Sequence, residues 1–193
     1  MSLVRLVEIE ELDGDARAMA DSGVAQYGKV LNTWKAIFNR PNIFATYLPF
    51  LRTVAGPGVL NQNTKDLCAL YVGLLNHCRY TASHRSTSGL KNGLTETELQ
   101  SLASGDWSSF SPEVQVALEF TKQLTVNPTV VEFSTLPQAV EPAVLTSLKS
   151  HFSDEEIVDL AMTVSVWNSI ARFHRVMDLE MDMPDPPEGV NPR

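Results

Sequence analysis

The chain has 193 residues, 44% hydrophobic and 20% charged, enough for one domain with a sizeable core. A net charge of −8 with no basic cluster argues against a nucleic-acid or anionic-membrane surface, and no apolar run is long enough to span a membrane. The acidic opening MSLVRLVEIEELDGD lacks the apolar stretch of a signal peptide, so a cytoplasmic setting is expected.

Residues 1–12 read as an extended arm. From Asp15 to about Tyr27 the pattern AxxMAxxxVAQY suits an amphipathic helix, which Gly28 interrupts. Between Val30 and Phe38, Leu31, Trp34 and Phe38 form an apolar stripe at helical spacing. Arg40-Pro41-Asn42 reads as a turn, with Asn42 as the cap of a helix from Ile43 to about Ala55. Pro49 should kink that helix, and Gly56-Pro57-Gly58 ends it. Two helices are expected at roughly 63–75 and 77–91, the first almost wholly apolar. Thr95 and Glu98 form a capping box for a helix to about Ala103. After a loop from Gly105 to Phe110, Ser111-Pro112-Glu113 starts a helix that runs to about Thr125. Val126 to Ser134 is β-branched but has no partner strand, and reads as a connection. A helix from about Pro137 to His151 follows. Ser153 and Glu156 then cap one long helix from Asp154 to about Leu179. The Pro-rich tail, 182–193, is expected to be loose. The expectation is a single all-α domain, 1–193, with no short-period repeat and no linker.

The chemistry-bearing stretch is DLCALYVGLLNHCRYTASHRSTSGLKNG, Asp66 to Gly93. Asn76 is placed as the cap of the second helix, which would put Cys78 in its first turn, where unpaired N–H groups favour a thiolate. Cys78, Thr81 and Arg85 follow at spacings of three and four and so share a face, with Tyr80 and His84 flanking it. The other cysteine, Cys68, lies among Leu67, Leu70 and Tyr71 and reads as core. Along one unbroken helix the two thiols would stand about 15 Å apart, too far for a disulfide.

This stretch resembles the alkylhydroperoxidase D-like (AhpD-like) and carboxymuconolactone decarboxylase superfamily. Redox members of that superfamily carry an acidic residue, eleven intervening residues, then Cys-x-x-Cys-x-x-x-His, often followed by Gly. Laid on without gaps, Asp66 takes the acidic position, usually Glu, and Cys78 the first Cys. Thr81 takes the second Cys, Arg85 the His and Gly93 the Gly, while Tyr80 matches a common Tyr. His84 immediately precedes the expected His position. VLNTWKAIFNRPNIFATYLPFLRTVAGPGVL looks like the family's opening helices, and SDEEIVDLAMTVSVWNSIARF resembles its closing helix, with Asn168 and Arg172 at a related spacing. The resemblance covers about three quarters of the chain. It implies an AhpD-like helical bundle that assembles as a homotrimer, or a hexamer made from trimers.

Each candidate has a bland alternative. Cys78 is a nucleophile or redox thiol, or an inert small residue at a helix start. Asp66 relays a proton or orients a base, or is a carboxylate stabilised by the helix dipole. Thr81 positions a ligand, or packs. Arg85 stays protonated, so it is no base; it anchors a carboxylate through two parallel hydrogen bonds, or forms a structural salt bridge. His84, with Tyr80 beside it, is the acid–base candidate, or a structural imidazole. His77 reads as exposed. His151 and His174 lack metal-ligand partners at suitable spacing, and no metal or cofactor is expected.

Three functions compete. The leading one is a carboxymuconolactone decarboxylase-like lyase without a redox dithiol. It would act by acid–base chemistry on a small anionic substrate, with Arg85 and Thr81 binding it and His84, Asp66, Tyr80 and Cys78 catalytic. The second is an alkylhydroperoxidase-like thiol peroxidase or reductase using Cys78. The third is a non-catalytic binding or assembly protein on the same fold.

Overall fold

The computed structural model describes residues 2–192; residues 1 and 193, the ends of the expected arm and tail, lie outside the described residues. Nine α-helices and no strand occur among the described residues: α1 (Gly14–Tyr27), α2 (Asn32–Ile37), α3 (Pro41–Ala55), α4 (Gln62–Leu75), α5 (Arg79–Lys91), α6 (Glu96–Ser104), α7 (Pro112–Val126), α8 (Pro142–His151) and α9 (Asp154–Met177). None is long and apolar enough to cross a membrane. Short 3-10 turns at Ile9–Glu11 and Asn127–Thr129 complete the regular structure.

Local chemistry sets most helix ends. Both expected capping boxes are present: Thr95 with Glu98, and Ser153 with Glu156, exchange side-chain and backbone bonds at the starts of α6 and α9. Ser111 caps α7 through the Val114 N–H. Two starts differ from expectation. The helix placed from Ile43 begins at Pro41, capped at Arg40, because proline's fixed φ suits the first helical position. The helix placed from Pro137 begins only at Pro142; residues 130–141 form turns, and Asn127 binds the Ala139 carbonyl across them.

Helix α4 is the central rod. It packs against α5, α7 and α9, and it is buried nearly all round, as its continuous apolar run requires. The main core gathers Leu67, Cys68, Leu70 and Val72 of α4 with Leu118 of α7 and Leu160 and Val164 of α9. A second cluster packs the arm and α1–α3 around Trp34, Phe38 and Phe44, whose rings meet edge-on or tilted. A third, smaller cluster joins Ala36, Cys78, Tyr80, Ala171 and Leu179 where α2, α5, α9 and the tail converge.

The C-terminal segment is not loose. Val190 is fully buried, Ser83 Oγ donates to the Pro184 carbonyl at 2.8 Å, and Gln100 reaches the Glu188 carbonyl. Composition marked the segment as unable to form regular structure; it packs as irregular chain because side chains of α5 and α6 supply donors to its carbonyls.

Two adjacent charges interrupt the apolar rod. Lys65 is 1% exposed; its ammonium donates to the Gly56 carbonyl at 3.0 Å and to Asp159 Oδ1 at 2.8 Å. Asp159 Oδ2 accepts from the Leu60 N–H, so the pair pins the 56–60 turn between α4 and α9. Gly58 passes against Asp159 Oδ2 so closely that a Cβ would collide with it. Removing one partner of such a pair strands the other charge in the core. Asp159→Leu should therefore cost about 3–5 kcal/mol in urea unfolding, and the double variant Lys65→Met/Asp159→Leu should recover most of that loss. A double variant no more stable than Asp159→Leu alone would show that the pair is not what holds this turn.

Candidate functional site

The corner between α4 and α5 positions the site. Asn76 does not cap the start of the second helix as expected; it is the C-cap of the first. The His77 N–H bonds the Leu74 carbonyl at 3.0 Å and the Cys78 N–H bonds the Gly73 carbonyl at 2.9 Å, the bond pattern of a Schellman ending. His77 takes the left-handed conformation this requires, with φ of 51°, where glycine is usual. Cys78 therefore stands one residue before α5, as its cap, rather than in its first turn. Gly73 lets the helices close: a Cβ there would lie 3.0 Å from Thr81 Cγ2. Asn76 also ties the corner to α9. Its amide donates to Asn168 Oδ1 at 2.9 Å, and its oxygen accepts from Arg172 Nε at 3.2 Å.

Cys78 is 2% exposed, and two donors of Thr81 face its sulfur: the backbone N–H at 3.5 Å and Oγ1 at 3.2 Å. Thr81 Oγ1 also lies 2.9 Å from His174 Nδ1, and His174 Nε2 lies 2.9 Å from Thr33 Oγ1. A line of hydrogen-bonding atoms thus runs Cys78, Thr81, His174, Thr33. Burial pushes His174 down to about 3, with the neighbouring His84 adding to the shift, so the imidazole is neutral at ordinary pH. Both hydroxyls beside it can donate or accept, so the ring can carry its proton on either nitrogen.

Asp182, from the tail, organises a second cluster. Its carboxylate accepts from the Asn32 N–H at 2.6 Å and the Tyr80 hydroxyl at 2.7 Å, and lies 2.5 Å from His84 Nε2. Burial opposes the charge on Asp182, but the bond from His84 and the other donors outweigh it and hold the group below the usual carboxylate range. Burial lowers His84, with Asp182 opposing; we read a neutral His84 donating to the carboxylate. Burial first, then the charge of Asp182, raises Tyr80, which remains a donor. The Tyr80 ring stacks on His84 at 4.3 Å and meets His174 edge-on at 4.6 Å, joining this cluster to the thiol line.

Arg85 stands apart. Its guanidinium is 4.3 Å above the Trp167 ring, bonds Ser88 Oγ and lies 3.6 Å from Asp66 Oδ1. Asp66 Oδ2 accepts from Asn92 at 2.6 Å. The shared face of Cys78, Thr81 and Arg85 therefore divides: Thr81 turns to the sulfur and Arg85 to Asp66. The six sequence candidates fall into three groups, Cys78 with Thr81, Tyr80 with His84, and Asp66 with Arg85.

A cavity of about 320 Å³ opens against the first group. Cys78, Tyr80, His174 and Leu179 form its buried floor, and His77, Arg79, Arg175, Asp178 and Glu180 form its exposed rim. Sequence reasoning missed His174, Thr33 and Asp182. One signal was present: Leu160, Val164, Trp167, Ala171 and His174 follow the 3.6 period of the buried face of α9, and a polar residue on such a stripe needs a partner. No group of residues able to hold a metal ion occurs among the described residues.

Residues 41–123, from α3 into α7, match the model of the carboxymuconolactone decarboxylase family. No curated protein matches the chain. Among solved structures, an alkylhydroperoxidase AhpD core, an uncharacterized peroxidase-related protein from Ralstonia eutropha JMP134, is 17% identical. It superposes with a TM-score of 0.78 over 100% of this chain and 98% of its own. A peroxidase-related protein from Silicibacter sp. TM1040 gives 17% identity and a TM-score of 0.70 over 100% and 96%. The debrominase Bmp8, a cysteine-to-alanine variant in complex with 2,3,4-tribromopyrrole, gives 14% identity and 0.72 over 94% of each chain. At these identities the structures speak to fold alone. The chain thus shares the fold of these structures, and over residues 41–123 it is similar to the carboxymuconolactone decarboxylase family, with Thr81 and Arg85 at the positions where the alkylhydroperoxidase D-like motif has its second Cys and its His.

Proposed function

We propose that the protein is a one-cysteine enzyme of this superfamily, in which Cys78 attacks a small electrophile, a hydroperoxide being the class that fits best. The observation that carries this reading is the convergence of Thr81 and, through it, His174 on a sulfur at the floor of a cavity. With the Thr81 hydroxyl turned so that it donates to His174 Nδ1 and accepts from the thiol, the thiol proton passes to Oγ1 as the hydroxyl proton passes to Nδ1. The thiolate attacks the distal peroxide oxygen, an S–O bond forms and the O–O bond breaks. The departing alkoxide takes the proton back from the relay. Sulfur is oxidised to a sulfenic acid and the peroxide is reduced to an alcohol. A buried imidazole holds its proton poorly, so His174 is charged only while the sulfur beside it is negative.

Peroxide consumption and labelling by dimedone should both vanish in Cys78→Ser. Thr81→Val should slow sulfenic-acid formation on the order of 10²-fold, and Thr81→Ser should restore most of it. Equal rates for wild type and Thr81→Val would remove the relay.

The same imidazole governs acid stability. His174 titrates near 3 when folded and near its ordinary 6.5 when unfolded, so between those values the unfolded chain binds the extra proton. Its contribution is full above about pH 6.5 and is lost as pH falls toward 3, by about 1.4 kcal/mol per unit at most. Urea midpoints should decline over this window, and less steeply in His174→Gln. Parallel declines would show that His174 does not set the slope.

One observation favours the leading alternative, a lyase that anchors a carboxylate. Arg85 Nε is buried with no hydrogen-bond partner among the described residues. Against it, Asp66 already supplies the guanidinium with an anion and Trp167 covers it. If Arg85 anchors substrate, a panel of small carboxylates should raise the Tm of wild type and not of Arg85→Ala, a lost desolvated pair costing about 2–5 kcal/mol of binding. Identical responses leave Arg85 as structure.

A further inference from the structure

A sulfenic acid at Cys78 has no resolving thiol within the chain. Thr81 stands at the position where a second sulfur would meet it, and the other cysteine, Cys68, is fully buried in the main core. Burial also pushes the Cys68 thiol up to about 12, which removes it as a nucleophile. The reductant must come from outside and deliver a sulfur to the cavity floor.

The cavity is small, and its charges are segregated from its reactive end. Its buried floor is Cys78, Tyr80, His174 and Leu179; its rim carries Arg79 and Arg175 of one sign and Asp178 and Glu180 of the other. Arg79 is engaged with Asp185 at 2.8 Å, and Arg175 is held in place by the Asn76 carbonyl at 3.2 Å. The Glu180 backbone is fixed by Asn32 Nδ2 at 3.0 Å. A held guanidinium and a carboxylate on an anchored backbone, above a buried floor, match a molecule with a thiol at one end and both a carboxylate and an ammonium at the other. A neutral thiol meets neither Arg175 nor Glu180 with an opposite charge, and a singly charged one meets only one of them.

We propose that Cys78 is turned over by a low-molecular-weight zwitterionic thiol, read by Arg175 and Glu180 at the rim of the cavity. This rests on the one-cysteine reading above for its role in turnover, but the recognition itself does not depend on peroxide chemistry. The first thiol attacks the sulfenic sulfur; an S–S bond forms, the S–O bond breaks and water leaves with the thiol's proton. A second thiol attacks the mixed disulfide, giving the free symmetrical disulfide and returning Cys78 to the thiol. Two electrons reach sulfur from the two thiols, which balances the two lost to the peroxide.

The test uses the reduced full chain and four symmetrical disulfides: cystine, cystamine, dithiodiglycolate and 2-hydroxyethyl disulfide. Mixed-disulfide formation at Cys78 is followed by intact mass, and each rate is corrected by the rate of the same disulfide with a free small thiol. The corrected rate with cystine should exceed that with the neutral compound about tenfold, the yield of two partly exposed ion pairs, with the singly charged compounds between. Arg175→Gln and Glu180→Gln should each shrink that ratio to within about threefold. Equal corrected rates across the panel, or a ratio untouched by both variants, overturns the proposal. A separate arm treats the protein with hydrogen peroxide and dimedone. No sulfenic adduct together with a retained charge preference would sink the peroxidase reading and the turnover role while leaving the recognition. An adduct with no preference would do the reverse.

Discussion

The ending of α4 is also the beginning of α5, and the two share Cys78. Its N–H closes the Schellman bond to Gly73 while its sulfur takes the place of the usual capping oxygen and accepts from the Thr81 N–H. A sulfur held by its own backbone on one side and its own helix on the other has little freedom. The rotation of α5 then sends Thr81 to the sulfur, Tyr80 and His84 to the tail, and Arg85 to Asp66. Tertiary bonds lock the corner: Asn76 accepts from Arg172 and donates to Asn168, whose own amide reaches Thr125 of α7. Three helices thus agree on the placement of one residue, and the strain at His77 is the cost of turning the chain tightly enough for that agreement.

Helix α4 is oriented by charge as much as by apolar burial. Lys65 and Asp66 are neighbours in sequence, both buried, and they point to different partners. Lys65 meets Asp159 on α9, and Asp66 meets Arg85 midway along α5 and Asn92 at its C-cap. An apolar rod buried all round has no preferred rotation from burial alone. Two buried charges with partners on different sides supply one, because any other rotation leaves both unpaired in the core.

Periodicity and capping chemistry made the fold legible. The boxes at Thr95 and Ser153, the Ser111-Pro112 start and the apolar run of α4 each carry a local physical cause, and each element stands where that cause places it. The misread positions were those where two local rules compete. Asn76 can cap a helix from either end, and only the αL turn at His77 decides between them. Pro41 and Pro142 start helices that Asn42 and Pro137 also invited. The site was legible on α4 and α5 alone. Cys78, Thr81, Tyr80, His84, Asp66 and Arg85 were all named, but their partners Thr33, His174 and Asp182 lie between 47 and about 100 residues away along the chain. Nothing in local spacing encodes such distances. Asp182 was further hidden by its Pro-rich surroundings, which described the backbone correctly as irregular and said nothing about how tightly it packs.

The separation of Arg85 from the thiol has a geometric origin. Seven residues along α5 amount to about 10 Å of rise, so a side chain at position 85 meets the sulfur only by folding back along the helix. An arginine placed there gains more by staying extended over Trp167 with Asp66 beneath it. In the proposed relay the base comes instead from α9: His174 meets Thr81 Oγ1, which in turn meets Sγ. Thr81 joins the two with a hydroxyl that both donates and accepts. The residue that forecloses an internal disulfide is therefore the same one that connects the remaining thiol to a base. An oxygen rather than a sulfur at the third residue after Cys78 leaves no second thiol beside it and places a hydroxyl between Sγ and His174; in the proposed cycle, an oxidised Cys78 then depends on a sulfur from outside the chain.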